Sequence, residues 1–414
     1  MSAIPRSAAI AVFLAFAVAY FFSALLRAIT ATLSPVLSHE FQLGSADLGL
    51  LAGAYFLGFS VTQLPLGSAL DRYGPRHVSL LLLTVAVAGC VLFSVASSFW
   101  ALVLARALIG VGVSACLMAP LTGYRRWYTP TTQLRANSWM LMTGSLGMVA
   151  ATLPVQWLLP LTGWRPLFWG LAVAIAVAMA VILWLVPGWA QPRSTSGDAA
   201  PRIAPASGYG PIWRSRYFRR MVPIGFFCYG GMVAVQTLWA VPWMMRVGGL
   251  SSQDAAHGLF WINVSMLITF WTWGLITPAL ARRGLKAERL IAWGLPGSFA
   301  MLASVILFGP ALGPWGFAGL ALFCMTCSVV SLAQPAVAMA FPSELAGRAL
   351  SAYNLVIFLG VFCVQWAIGL LADTLQWLGW SPSGALRTAM ALFLLLCVGS
   401  YGHFFWAGRD NRES

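Results

Sequence analysis

Uncharged apolar runs long enough to cross a lipid bilayer recur twelve times along this chain of 414 residues. A membrane-crossing helix needs about 20 mostly apolar residues. Runs read between charge clusters and Gly/Pro punctuation fall at 9–36, 47–70, 77–98, 100–122, 137–159, 167–187, 221–244, 257–281, 289–309, 314–340, 348–372 and 385–407. The first run follows Arg6 as a secretory signal would, but its apolar core is too long for one and it reads as a mature helix. Hydrophobic residues make up 60% of the chain and charged residues 8%, against about 25% charged in soluble proteins. That excludes a secreted enzyme, a disordered protein and a soluble nucleic-acid binder. An all-α polytopic membrane protein remains.

The runs fall into six, a break, and six more, which predicts an N-terminal bundle at 1–187, a linker at 188–220 and a C-terminal bundle at 221–414. The break is rich in Pro, Gly, Ser and Ala, and holds Arg193, Arg202, Arg214, Arg216, Arg219 and Arg220 against Asp198. Such a composition predicts a solvated linker. Basic residues also fix an orientation, because cytoplasmic loops collect Lys and Arg. With the N-terminus inside, 19 of the 24 basic residues lie on the inner side, Arg165, Arg246 and Arg387 lie outside, and Arg27 and Arg106 fall within runs. Both termini and the linker are expected in the cytoplasm. The net charge of +14 is thus explained by topology, with no nucleic-acid partner. All seven cysteines lie inside the runs, so no disulfide framework is expected.

The halves echo each other at offsets of 207 to 215. Val155-Gln156-Trp157 recurs as Val364-Gln365-Trp366, Ser45-Ala46-Asp47 as Ser252-Gln253-Asp254, and Leu117-Met118-Ala119-Pro120 as Leu332-Ala333-Gln334-Pro335. The stretch from Leu70 overlays on Leu280 to Lys286, with Ala281 in place of a second Asp. Repetition of this kind marks two related bundles. Gly67-Ser-Ala-Leu-Asp71-Arg72-Tyr-Gly74-Pro-Arg76 resembles the signature loop between helices 2 and 3 of the major facilitator superfamily, apart from Pro75. Arg106-Ala-Leu-Ile-Gly110-Val-Gly112 resembles its helix-4 motif. The resemblance implies twelve helices in two pseudo-symmetric six-helix bundles. It also implies a latch built from Gly67, Asp71, Arg72, Gly74 and Arg76, holding the outward-facing state. Arg72 and Arg76 can otherwise be read as charges that only set topology.

Arg27 is the most informative residue. An arginine within a span costs ~2.5–3.5 kcal/mol and usually faces a cavity or substrate path rather than lipid. Tyr20-Phe-Phe-Ser-Ala-Leu-Leu-Arg27, with Pro35 eight residues on, is similar to helix 1 of the organophosphate antiporters and organic anion:cation symporters of the superfamily. The resemblance implies an arginine that binds a phosphate or carboxylate. Leu26 stands where the symporters often carry an Asp for proton coupling. The ten carboxylates all fall in loops, helix ends or tails, so an exporter's buried acid for cationic drugs is missing. Gly144-Ser-Leu-Gly147 also lacks the Gly-Pro element of the antiporter families. An unneutralised arginine in low dielectric favours anions.

Other polar and aromatic side chains are candidates for the same site: Thr30 one turn from Arg27, Gln236 and Thr237 at the repeat-mate position, Gln334, Asn354, Gln156 and Gln365, and Tyr20, Tyr229 and Trp239 as an aromatic wall. Each can equally be a helix-to-helix contact. Arg106 reads either as a cavity or coupling residue or as a structural one. Cys324-Met-Thr-Cys327 lies mid-span without a second pair and reads as packing. No P-loop, catalytic triad or helical zinc pattern occurs, so neither an enzyme nor a cofactor is expected. The sequence therefore predicts a monomeric secondary transporter of a small organic anion in a bacterial inner membrane, with the lipid bilayer as its other partner. An exporter of amphipathic or drug-like compounds is the alternative, and a non-transporting sensor comes third.

Overall fold

In the computed structural model, residues 4–189 and 208–408 are described, and every regular element among them is helical. α1 (Arg6–Phe41) has 36 residues, about 54 Å at 1.5 Å per residue, and overspans a hydrocarbon core of about 30 Å. One 51-residue helix, Ser45–Val95, follows, broken only at Gly74, where φ is 80° and ψ 162°. We treat its arms as α2 (45–73) and α3 (75–95). Next come α4 (Phe99–Trp127), the two-part α5 (Pro130–Ala150 and Leu153–Thr162, with a 44° bend) and α6 (Trp164–Leu185). A helical turn at Gly210–Arg214 leads into α7 (Arg216–Arg246), α8 (Ser252–Arg282), α9 (Ala287–Leu312), α10 (Gly316–Met339), α11 (Ser343–Trp377) and α12 (Pro382–Trp406). Ten helices are long and apolar enough to cross a bilayer, or 11 with bent α5. Twelve is reached only when the arms on either side of Gly74 are counted separately.

Two local features differ from the sequence reading. The stretch Gly67–Arg76, read as a loop, is helical except at Gly74. A positive φ suits glycine because it has no Cβ to clash. Pro75 then begins α3, where its missing N–H costs no helical hydrogen bond. The second difference concerns the linker. Arg214, Arg216, Arg219 and Arg220 lie in helices, and α7 begins at Arg216, ahead of the expected boundary. Arg193, Asp198 and Arg202 lie outside the described residues.

Small residues let the helices approach closely, as in other membrane bundles. α2 meets α4 where a Cβ on Gly58 would strike the Ala107 carbonyl and one on Gly110 would strike the Tyr55 carbonyl. Arginines join the ends. Arg165 pairs with Glu40 at 2.7 Å and donates to the Ala96 carbonyl at 3.2 Å. Arg387 donates to the carbonyls of Ile306 and Leu307 at 2.9 and 3.1 Å. Ala96 caps a helix C-terminus, where carbonyls lack intrahelical partners, and the Ile306 carbonyl is left free because Pro310, four residues on, has no N–H to give it. Most tryptophans, among them Trp100, Trp184, Trp293 and Trp377, face outward, as lipid-facing and interfacial tryptophans do.

Close approach at Gly110 makes a direct prediction. Gly110→Ala should cost about 1–3 kcal/mol by overpacking and lower the thermal unfolding midpoint in detergent. Gly170→Ala, with no atom within 4 Å of the added Cβ, should leave it unchanged.

Candidate functional site

Arg27 lies 3.5 residues, about 5 Å, beyond the midpoint of α1. Its neighbours Leu25, Leu26, Ala28 and Ile29 are buried, yet Arg27 itself keeps part of its surface exposed. The guanidinium carbon stands 5.7 Å from the Phe59 ring centroid and 5.8 Å from that of Phe358. Phe59 comes from the middle of α2 and Phe358 from the middle of α11, so the charge is clasped between the two halves. The two rings touch each other, with centroids 4.4 Å apart. The phenols of Tyr20 and Tyr55 lie beside the guanidinium, and Tyr229 of α7 faces it across the interface. Nε of Arg27 is buried without a hydrogen-bond partner. Among the described residues no carboxylate pairs with it. A cation held by π-faces, with a donor left open, can donate a bond to an anion.

Arg106 has different surroundings. It is wholly buried, donates through Nη1 to the Leu26 carbonyl at 2.8 Å, and stacks over Tyr55 at 4.9 Å. The bond to a helix carbonyl is what the structural reading expects, while Nε and Nη2 of Arg106, like Nε of Arg27, are buried without partners. Tyr55 in turn donates to the Ser23 carbonyl at 3.3 Å, so one tyrosine braces α1 beside both arginines.

The other expected site residues divide into two groups. α7 contains two π-helical stretches, Ile224–Tyr229 and Val235–Trp239, a distortion that recurs at functional sites. The first ends on Tyr229, at the Arg27 cage. The second carries Gln236, Thr237 and Trp239 into helix-to-helix bonds: Gln236 Nε2 donates to Asn263 Oδ1 at 2.9 Å, Gln365 Nε2 to Thr237 Oγ1 at 3.0 Å, and Trp239 Nε1 to the Gln365 carbonyl at 3.2 Å. Thr30 is buried in α1. Gln334 Nε2 donates to Asn354 Oδ1 at 2.7 Å, joining α10 to α11 one turn from Phe358. Tyr20 thus joins Arg27 directly, whereas Gln236, Thr237, Trp239, Gln334 and Asn354 tie helices together around it. Tyr55, Phe59 and Phe358 were not singled out by the sequence. Among 25 phenylalanines, no spacing signal marks the two that meet an arginine. Cys327 donates to the Cys228 carbonyl at 3.5 Å, within the packing of α10 on α7.

Comparison with known proteins adds to this geometry. Residues 16–364 match the Major Facilitator Superfamily. The chain belongs to that superfamily. It is 24% identical over 325 residues to the inner membrane transport protein YajR of Escherichia coli, covering 76% of this chain and 67% of the relative. It is 24% identical over 339 residues to the gallate transporter of Pseudomonas putida, covering 74% and 73%. It is 22% identical over 330 residues to the 4-hydroxybenzoate transporter PcaK of Acinetobacter baylyi, covering 72% and 69%. Among solved structures, an inward-facing, unoccupied bacterial homolog of the human lysosomal transporter Spinster superposes with a TM-score of 0.74 over 98% of both chains, at 17% identity. The superfamily and these relatives are transporters, not enzymes.

In this facilitator fold the halves are joined most closely at the Ser45 end of α2. Asp373, near the end of α11, accepts from the backbone N–H groups of Ser45 and Ala46 at 2.9 and 2.7 Å, and so caps α2 from the other half. Arg246 of α7 donates to Ser45 Oγ at 2.6 Å. Cβ atoms on Gly49 and Gly369 would strike the Gln365 and Ser45 carbonyls across the same seam. At the opposite end, a Cβ on Gly67 would lie 3.8 Å from Ser351 Oγ, Asp71 and Arg72 are exposed, and Arg72 lies 5.2 Å from the Tyr73 ring. Arg76 Nη1 donates to the Val186 carbonyl at 3.4 Å, just past the end of α6. The hollow at Gly74 is filled by Trp189, whose Nε1 donates to the Asp71 carbonyl at 3.3 Å.

The two in-span arginines should therefore respond oppositely to removal. Arg106→Ala deletes a fully buried side chain and should lower the unfolding midpoint in detergent, at a cost of about 2–5 kcal/mol. Arg27→Leu removes an unneutralised charge and should leave that midpoint unchanged or raise it.

Proposed function

We propose that this chain is a secondary active transporter of a small organic anion, a carboxylate or phosphate ester, which binds Arg27 while the halves rock about it. The observation that carries the reading is the half-buried Arg27, near the middle of α1, its guanidinium between α2 and α11 with a buried, unpartnered Nε and no acid beside it among the described residues. A carboxylate can accept two parallel bonds from a guanidinium edge. The low dielectric of a protein interior strengthens that pairing beyond its value in water. Two of the relatives are named for gallate and 4-hydroxybenzoate, both carboxylates, which favours a carboxylate over a phosphate. The amphipathic-compound exporter is less well supported. The tryptophans that suggested it face mostly outward.

The chain sits in a bacterial inner membrane as a monomer, with both termini and the linker on the cytoplasmic side. The 19-to-3 distribution of basic residues supports that orientation, and a cage built from one chain needs no second copy. The Asp373 cap then seals the outer side of an inward-facing carrier. Asp71, Arg72 and Arg76, with Gly67 and Gly74, form the cytoplasmic latch that engages when the halves rock the other way. Hydrogen bonds to a charged group contribute about 1.5–3 kcal/mol, enough to set the balance between two such states.

Two measurements test this. In proteoliposomes, radiolabelled organic anions should accumulate and lipophilic cations should not, and Arg27→Ala should cut anion uptake at least tenfold, a loss of about 1.4 kcal/mol or more. Normal uptake by folded Arg27→Ala protein would overturn the assignment. Asp373→Asn should lengthen the distance between spin labels at Gln42 and Leu378, on the outer ends of α1 and α11. An unchanged distance distribution would remove Asp373 from gating.

A further inference from the structure

We infer that the ligand of Arg27 is an aromatic carboxylate, a single ring bearing its acid group, and that Phe59 and Phe358 set this preference by stacking on the ligand ring. The inference rests on the anion reading of Arg27 and deepens it. The guanidinium is nearly equidistant from the two rings, at 5.7 and 5.8 Å, so neither half owns the charge. Phe56 adds a third ring, stacked on Phe358 at 6.3 Å and 14°. Tyr20, Tyr55 and Tyr229 bring phenol groups to the same cage.

With no anion bound, the π-faces of Phe59 and Phe358 partly compensate the cation. An arriving carboxylate takes over that role through the buried Nε–H and a neighbouring N–H. It draws the guanidinium off the two faces, which then need a new partner. An aliphatic acid would offer them only saturated carbon. A ring attached to the carboxylate supplies the offset or edge-to-face contact that aromatic pairs prefer, at centroid spacings of 4.5–7 Å.

The geometry also explains how a flat ring gets in. Phe59 and Phe358 belong to opposite halves and touch at 4.4 Å. They are tilted 56° to one another, so relative motion of the halves parts them like the sides of a wedge and opens a slot beside Arg27. A slot between two side chains that part in this way admits a planar group most readily.

The test compares benzoate with cyclohexanecarboxylate, which share charge and approximate size but differ in π-character, by calorimetric binding to the full-length protein in detergent. Wild type should bind benzoate the tighter by roughly 2- to 12-fold per ring pair. Phe358→Leu should abolish the preference while leaving cyclohexanecarboxylate affinity within about twofold, since the swap nearly conserves volume. Phe358→Tyr should restore it, and Phe59→Leu gives a second reading if Phe358→Leu does not fold. Equal affinity for the two acids in wild type, no binding of either, or a preference that survives both leucine variants would each overturn the inference. Arg27→Ala separates this from the broader reading. Loss of both acids in Arg27→Ala, with the benzoate preference unaltered in the leucine variants, would leave the anion site standing and remove only its aromatic selectivity. Retention of both acids in Arg27→Ala would instead remove the anion site.

Discussion

A positive charge near the middle of a membrane protein must be compensated, and the manner of compensation governs what the protein can do. Arg27 has no carboxylate beside it among the described residues. Instead two phenylalanine faces, one from each half, share the charge. Cation–π contacts contribute about 0.5–2 kcal/mol each, which offsets part of the ~2.5–3.5 kcal/mol cost of an arginine at this depth. Because the two rings come from different bundles, the same contact that steadies the charge also joins the halves. Charge compensation and domain closure are therefore one interaction.

The other buried polar groups are largely committed to structure. Arg106 holds a carbonyl of α1, Gln236 and Asn263 join α7 to α8, and Gln334 and Asn354 join α10 to α11. Arg165 and Arg387 satisfy carbonyls that lack intrahelical partners. These bonds tie helices together within each bundle. At the Asp373 seam, by contrast, the bonds cross from one bundle to the other, joining groups 327 and 328 residues apart in sequence.

Residues that stand out from their surroundings were legible in the sequence. Arg27 and Arg106 interrupt apolar runs, so their positions could be read, but their partners could not. One partner is a backbone carbonyl, which has no letter in the sequence, and the others are phenylalanines among many. Asp373 was visible only as one more carboxylate at a helix end, because its cap is formed in the other bundle. Glycine and proline at 74 and 75 suggested an extended turn, but the chain needs only a single left-handed residue to reverse. Trp189 lay in a stretch whose composition indicated solvent exposure. It packs instead into the space left by the absent Cβ of Gly74, with the Arg126 guanidinium 4.5 Å from its ring.

That tryptophan bears on how far the two bundles can swing. Trp189 is fastened to the elbow at Gly74, and Tyr209 donates to the Leu64 carbonyl of the preceding arm at 2.8 Å. Trp189 and Tyr209, on either side of the basic segment, are thus both fastened to the N-terminal bundle. From Tyr209 to the start of α7 the link between the two bundles is then the six residues from Gly210 to Ser215, which reach at most about 20 Å when drawn out straight. Most of that stretch is coiled into a helical turn with Ile212 buried, so the link holds the start of α7 within a short radius of the Gly74 end of α2.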